Sequence, residues 1–474
     1  MKKICLYFEI HQIIHLKRYR FFDIGRDHYY YDDYENERSI NYIAERSYVP
    51  ALQTILQMCK DYPEFRVAFS LSGVGLEQLE FHAPQVIDLL QEINKTGQAE
   101  FLSEPYSHGL ASLANEESFE LEVKRMSKKI KEIFGKEPKV FRNSSLIYND
   151  EIGAQVAAMG FKGILTEGAK QVLGWKSPHY LYHCATDPRL KILMRDINLS
   201  EDITERFTSN PLMADQWLDW IASTPEGEDI INIFGELVTF GIFHPLEGGI
   251  LEFLKAIPKL ARERNIGFAL PSELCAQKSV GPVEVPYNIS WVDEERDTSC
   301  WLGNHLQREA FNKLYSVAER VLICNDRRIK MDWDYLQASN NFRFMTTKAS
   351  MKFRDIYDSP YDAFTNYMNI LGDFISRVNN LYGGAENEEI NSLITTIQNQ
   401  DDEIAAKDKE IEKLQKLLAK YNPVEAKKAT APTPKVEAGT KKSAPKKEVA
   451  KKAEPKKETV KKAAPTKAAA KTSK

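Results

Sequence analysis

Apolar residues in the first 270 positions fall into short runs rich in β-branched and aromatic side chains, each separated from the next by a stretch with helical periodicity. The runs are Ile4–Ile10, Phe65–Leu71, Ala99–Leu102, Lys139–Arg142, Lys162–Thr166, Ile192–Asp196, Asp229–Phe234 and Gly267–Leu270. Strands alternating with helix-length segments build βαβ units and therefore a parallel sheet. Seven or eight of them in this length predict a closed or nearly closed (β/α) barrel. No glycine-rich phosphate fingerprint follows any run, so an open nucleotide-binding sheet has no local support.

Past Asn288 the period changes. Trp291, Asp293, Asp297 and Trp301 lead into helical stretches at Gln307–Asn325, Asp332–Met345 and Tyr361–Asn380, and Gly383-Gly384 breaks the last one. A heptad follows, with Ile390, Ile397, Ile404, Ile411 and Leu418 at one seam position and Leu393, Gln400, Lys407, Leu414 and Tyr421 at the other. Isoleucine at the first position favours a parallel two-stranded coil, and Gln400 and Lys407 weaken it. A solitary amphipathic helix docked on the body is the alternative. Pro423 ends the pattern, and the remaining Lys/Ala/Pro repetition has no large apolar residue with which to form a core. The expected boundaries are 1–285 for a barrel, 286–382 for a helical domain, 385–421 for a coil and 422–474 for a disordered basic tail.

Charge sharpens this division. The net value of −4 conceals sixteen Lys against five Glu from Pro423 onward, so the body is acidic and the tail basic. Such a tail serves as a solubilising tether or contacts a polyanion such as nucleic acid or an anionic surface. The six cysteines are scattered without a C-x-x-C pair, as expected of buried thiols in a reducing compartment. Glu9 and His11 interrupt the N-terminal apolar run before it reaches signal-peptide length. No stretch approaches the ~18 apolar residues of a membrane span. The expectation is a cytoplasmic protein with no membrane contact.

Chemistry gathers at the C-terminal ends of the runs, where a barrel presents its reacting groups. Glu9, His11 and Gln12 follow the first run, Ser72, Gly73 and Glu77 the second, and Glu104, Tyr106 and His108 the third; Glu167 and Glu236 follow later ones. Six ordered segments then carry a resemblance. Phe8-Glu9-Ile10-His11-Gln12, Phe69-Ser70-Leu71-Ser72-Gly73 with Glu77-Gln78-Leu79, Glu104-Pro105-Tyr106-Ser107-His108, Phe141-Arg142-Asn143, Thr239-Phe240-Gly241 and Ser290-Trp291-Val292-Asp293-Glu294-Glu295-Arg296-Asp297 together resemble the α-amylases of glycoside hydrolase family 57. The resemblance runs from residue 1 to about 380 and implies an α/β fold: an incomplete (β/α)7 TIM-like barrel followed by a helical domain. It also implies retaining action on α-glucans or maltooligosaccharides without metal or other cofactor.

Retention uses two carboxyl groups, one attacking the sugar and one working as acid and then base. By resemblance the nucleophile is a Glu in a segment like F-R-N-T-E-L-I-Y. Here that segment is Phe141-Arg142-Asn143-Ser144-Ser145-Leu146-Ile147-Tyr148, with Ser145 at the nucleophile position. The acid/base position, an Asp in D-Y-E-T-F-G-E-H, falls on Glu236, while Val238 and Phe243 replace the following Glu and the His. A serine hydroxyl needs an activating base, and its glycosyl ether would be a poor leaving group for the second step. The expectation is an α-glucan-binding protein with impaired or lost retaining hydrolysis. An inverting hydrolase using Glu236 as acid and Glu167, Glu104 or Asp150 as base is the alternative, and an oligomeric scaffold with a polyanion-binding tail, associating through 390–421, is a further one. His11, Glu77, His108, Trp291, Asp293 and Asp297 are the expected sugar contacts; a charge pair is the alternative for Glu167 and for Asp293 and Asp297, which share a face if helical, and Trp301 is a further stacking candidate or a core residue.

Overall fold

The computed structural model describes residues 1–210, 212–348 and 356–381, with isolated positions 407, 411 and 414. The chain divides into two units, Met1–Gln398 and Asn399–Lys474. The expected coil at 385–421 lies outside the described residues apart from those three positions, and the tail at 422–474 lies outside them entirely.

The first unit is a parallel barrel with helices around it. Its strands are β1 (Lys3–Ile10), β2 (Val67–Leu71), β3 (Ala99–Leu102), β4 (Val140–Arg142), β5 (Gly163–Glu167), β6 (Tyr182–Cys184), β7 (Lys191–Arg195), β8 (Ile230–Glu236), β9 (Gly267–Phe268) and β10 (Gly281–Val283). Parallel pairing runs from β8 through β1 and β2 to β3, and from β4 through β5 to β7. Two narrow seams join these arcs into a ring of seven strands among the described residues. Ser103 bridges to Phe141 beyond the end of β3, and Arg195 of β7 pairs with Asn232 of β8. Asn232 reinforces the second seam by donating from Nδ2 to the Met194 carbonyl at 2.9 Å. β9 pairs with β1 at Lys3 and Ile4, below the point where β2 begins its pairing at Tyr7, so the eighth expected run is a wedge and not a barrel stave. β6 and β10 pair with each other beside β7. Each has three residues, and β10 contains Gly281 and Pro282, too little pattern to mark a strand in the sequence.

Side chains alternate across a strand, and here both faces are apolar because helices cover the outside. On β1, Ile4, Leu6, Phe8 and Ile10 join the large cluster under the helices, while Cys5 and Tyr7 join a second cluster with Ala68, Leu102, Val140, Leu165, Leu193 and Phe234. That second cluster fills the barrel interior. Continuing each inward parity by two residues reaches Glu9, Ser70, Glu104, Arg142, Glu167, Arg195 and Glu236 in turn. Every stave of the ring thus ends its inward face on a polar group at the barrel mouth.

The helices past the barrel are Ser299–Leu302, His305–Tyr315, Ala318–Ile323, Arg327–Leu336, Ser339–Arg343 and Pro360–Leu381. The last matches its expected span. The two expected stretches before it are each split. Gln307–Asn325 forms His305–Tyr315 and Ala318–Ile323. Asp332–Met345 forms Arg327–Leu336, which starts early because Asp326 accepts the amides of Arg328 and Ile329, and Ser339–Arg343 after a turn at Gln337–Ala338. Ser339 donates its amide to the His108 carbonyl at 3.1 Å, and Gly109 bridges to Ala338, tying these helices to the loop after β3. A Cβ on Gly109 would stand 2.8 Å from the Gln337 carbonyl, so this contact requires glycine. No helix of the described residues is long and apolar enough to cross a membrane. All six cysteines are buried and unpaired.

Candidate functional site

The polar ring condenses into two buried ion clusters. In the first, the Arg142 guanidinium grips Glu9 through both its terminal nitrogens at 2.8 Å and reaches Glu104 at 3.2 Å. His108 Nδ1 lies 3.2 Å from Glu9 and 3.1 Å from Glu104, and the Ser70 hydroxyl donates to Glu104. Burial pushes the Glu104 carboxyl up, but His108 and Arg142 together hold it below its ordinary value. In the second cluster, Arg195 donates to Glu167 at 2.9 Å, with Glu201 4.0 Å away and Arg296 in turn bonded to Glu201. Arg142, Arg195, Glu104 and Glu167 have no solvent exposure. Charges this deep persist only when paired.

Glu236 stands apart from both. It pairs in register with Glu9 on the neighbouring parallel strand, so the two side chains leave the same face side by side. Its carboxyl is pushed up to about 7, first by burial and then by the Glu9 charge, against the opposing pull of Arg343, Arg142 and His108. Glu9, Glu104 and Glu167 are buried, whereas Glu236 is only partly so. It presents an acid that is half protonated near neutrality.

His11 stacks on His108 with ring centroids 4.1 Å apart and sits 2.7 Å from the Ser72 hydroxyl. That hydroxyl already accepts the Gly75 amide at 3.0 Å. The assignment that uses its proton has Ser72 donating to Nδ1, which leaves the imidazole hydrogen on Nε2. Burial, His108 and Arg142 all push the His11 pKa down, so the ring is neutral. Its Nε2 is buried with no partner among the described residues, as are Ser144 Oγ and Trp291 Nε1.

Ser145 follows β4 in a single 3-10 turn at Ser144–Leu146 and adopts left-handed angles of φ 52° and ψ 29°; Leu146 is also left-handed at φ 57°. The turn is pinned from three sides. Asn143 accepts the Ser144 amide and donates to the Ile147 carbonyl, Thr166 donates to the Leu146 carbonyl, and Trp291 donates its amide to the Ser145 carbonyl. The Ser145 side chain is 7% exposed.

The expected residues divide. His11, His108 and Glu236 converge with Glu9, Glu104 and Arg142 at the mouth, and Trp291 meets the Ser145 turn. Glu77 does not join them: its carboxylate takes hydrogen bonds from Tyr106 and Tyr335 and an ion pair from Arg125 at 3.5 Å. Asp293 and Asp297 are not helical. Both lie in the turn before Ser299, Asp293 left-handed and ion-paired to Lys348 at 3.1 Å, Asp297 accepting from Ser299. A cation and a helix start therefore hold them. Trp301 is buried in the core, 1% exposed, with no face for a sugar. Of the stand-in bases, Glu104 and Glu167 are taken by the clusters, while Asp150 accepts the Val285 amide through one oxygen at 2.9 Å and keeps the other without a partner among the described residues.

Two participants escaped the sequence reading. Arg343 reaches the charge field of Glu236 from about a hundred residues downstream in the chain, through the helix Ser339–Arg343 that is held at His108, and no local pattern marks it. Arg142 was quotable within its motif, and its service to Glu9 and Glu104 could have been read from the strand-end parity. Glu9, Glu104 and His108 are also the described residues whose ligand atoms lie close enough, within 4.8 Å, to hold a metal ion. The Arg142 guanidinium already supplies the positive charge they share.

Comparison with known proteins agrees with this architecture. The family model for glycosyl hydrolase family 57 matches residues 5–289. A protein of Methanocaldococcus jannaschii named "Putative alpha-amylase" is 37% identical over 386 residues, covering 76% of this chain and 81% of its own length. Among solved structures, a branching enzyme of this family from Pyrococcus horikoshii superposes with a TM-score of 0.61 at 12% identity, covering 85% of this chain and 95% of its own. The α-amylase AmyC of Thermotoga maritima does so at 0.56 and 13%, covering 83% and 96%. At such identities these two speak for the fold alone.

Proposed function

Because the chain belongs to glycosyl hydrolase family 57, we propose that it is an α-amylase-like protein that binds α-glucan or maltooligosaccharide chains at the barrel mouth and has lost retaining hydrolysis. The observation carrying this reading is the state of the carboxylates. Ser145 occupies the pinned turn after β4, where the resemblance calls for a nucleophile. The neighbouring carboxylates are locked: Glu9 and Glu104 on Arg142, Glu167 on Arg195. Glu236 is left as the one partly accessible acid of the ring. Double displacement needs two carboxyl groups free to react, and the ion pairs leave one in the ring among the described residues.

Binding has its own support. Neutral His11 offers Nε2–H, Ser144 a hydroxyl and Trp291 an indole N–H, all buried without partners among the described residues and all suited to sugar hydroxyls. Glu236, half protonated near neutrality and protonated below it, is suited to donate to a glycosidic or hydroxyl oxygen.

The deciding experiment compares the wild type with Ser145→Glu on maltooligosaccharides, following reducing ends and product anomer. The reading expects no turnover for the wild type and α-retaining turnover for the variant. Brisk retaining hydrolysis by the wild type that survives Ser145→Ala would end it. The raised Glu236 favours a second reading, an inverting hydrolase with Glu236 as acid. That reading expects slow wild-type turnover with β-anomeric product, abolished in Glu236→Gln.

A further inference from the structure

A second concavity lies away from the ion clusters. A cavity of about 280 Å³ opens between residues 29–31, the helices Asp33–Ile43 and Gly73–His82, and the helix Arg327–Leu336. That is near the lower end of the ~300–1,000 Å³ of small-molecule sites. Tyr29 meets Tyr31 edge to face at 5.4 Å, and Tyr31 meets Tyr335 in the same way at 5.2 Å, so the rings form successive perpendicular walls. Phe81 stands beside them, 81% exposed.

Two amides give this cavity its chemistry. Asn36 Oδ1 accepts the His15 amide at 2.7 Å, and Gln78 Nε2 donates to the Gln12 and Ile13 carbonyls at 3.0 and 2.8 Å. These bonds fix both amide orientations. Asn36 Nδ2 remains a donor and Gln78 Oε1 an acceptor, neither with a partner among the described residues, on side chains only 5% exposed that line the cavity. Asp33 adds an exposed carboxylate.

We propose that this cavity is a second saccharide site, holding a short α-glucan segment apart from the barrel mouth. The inference rests on the substrate class proposed above. Aromatic walls stack against the apolar C–H faces of a pyranose, and a donor beside an acceptor matches adjacent hydroxyls, each of which both gives and takes a hydrogen bond. An aromatic box with carboxylates also attracts ammonium ions. An ammonium cannot accept from Asn36 Nδ2, however, and the Glu77 charge is already met by Arg125.

The test titrates the full chain with maltoheptaose by calorimetry, in the wild type, in Asp33→Ala/Phe81→Ala and in Trp291→Ala. Asp33 and Phe81 are exposed, so the fold should survive, and a thermal melt checks it. The expected result is two classes of site in the wild type. One should weaken tenfold or more in Asp33→Ala/Phe81→Ala, and that same class should persist in Trp291→Ala. An isotherm unchanged by Asp33→Ala/Phe81→Ala overturns the cavity site and leaves the barrel-mouth reading standing. Displacement of maltoheptaose from the cavity class by choline chloride overturns it too, in favour of an ammonium ligand. Absence of any maltoheptaose binding overturns both readings.

Discussion

Glu9 and Glu236 occupy paired positions on adjacent parallel strands, so burial and then the Glu9 charge raise the Glu236 carboxyl. Arg142 binds Glu9 through two nitrogens, and Glu236, with its carboxyl raised to about 7, is half protonated near neutrality. The pH dependence follows in sign. A carboxyl raised from 4.5 to about 7 in the folded chain favours folding fully below pH 4.5, and that contribution is lost as pH rises through 7. Glu122, buried under the Ser107 hydroxyl and pushed up to about 7 mainly by burial, acts in the same direction. Denaturant melts should therefore show stability falling between pH 5 and 8. Glu236→Gln should remove on the order of 3 kcal/mol of that fall, leaving the share of Glu122. An unchanged slope in Glu236→Gln would contradict the assignment. Arg142→Met tests the other half: it leaves Glu9 and Glu104 buried without their cation, and should cost about 3–5 kcal/mol of unfolding free energy at neutral pH. The loss should shrink in acid, where those carboxyls can take protons.

The element that frames the candidate chemistry is the Ser144–Leu146 turn, and it marks a limit of sequence reading. Its residues were quotable and Ser145 stood out by what it replaces. Its conformation was not legible, because two consecutive left-handed residues normally announce themselves by Gly or Asn, and here they are Ser and Leu. The surrounding bonds from Asn143, Thr166 and Trp291 impose the angles, and of these partners only Asn143 is local, Thr166 coming from β5 and Trp291 from the segment beyond β10. By contrast the staves themselves were legible, since a β1 reading of Ile4, Leu6, Phe8 and Ile10 against Cys5, Tyr7 and Glu9 needs only the alternation of faces. Strain at this turn has a measurable signature. Ser145→Val places a β-branched side chain at φ 52° and should lose about 1–3 kcal/mol. Ser145→Gly should stay within about 1 kcal/mol of the wild type, relief of strain offsetting the freer unfolded chain. Equal losses in the two variants would show that the hydroxyl, and not the backbone, holds the turn.

At the scale of the whole molecule, the helix Pro360–Leu381 was readable from its periodicity, but what it does was not, because the partners at residues 17–30 lie more than 300 residues away. Asn366 accepts the Tyr19 amide at 2.7 Å and donates to the Lys17 carbonyl at 3.1 Å. Asp373, fully buried, accepts the Gly25 amide at 2.7 Å, lies 2.8 Å from His28 Nδ1 and takes the Tyr30 hydroxyl at 2.5 Å. Arg377 joins Tyr30 to Asp332 at 2.9 and 2.6 Å. One helix thus fixes the long segment between β1 and the helix Asp33–Ile43, which carries no strand and supplies a wall of the tyrosine-lined cavity. The family match ends at residue 289, yet this segment depends on residues well beyond it. Asp373→Ala would strip three donors of their acceptor at once, and of these Gly25 and His28 are exposed enough to turn to water while Tyr30 is buried. One unmet buried group costs about 1–3 kcal/mol, so a loss of that size is expected. Hydrogen exchange should show where it falls: faster exchange at residues 19–31, with the amides of β1, β2 and β8 still protected. Protection lost evenly across the barrel strands would mean that the helix supports the barrel as a whole and has no particular hold on its first long loop.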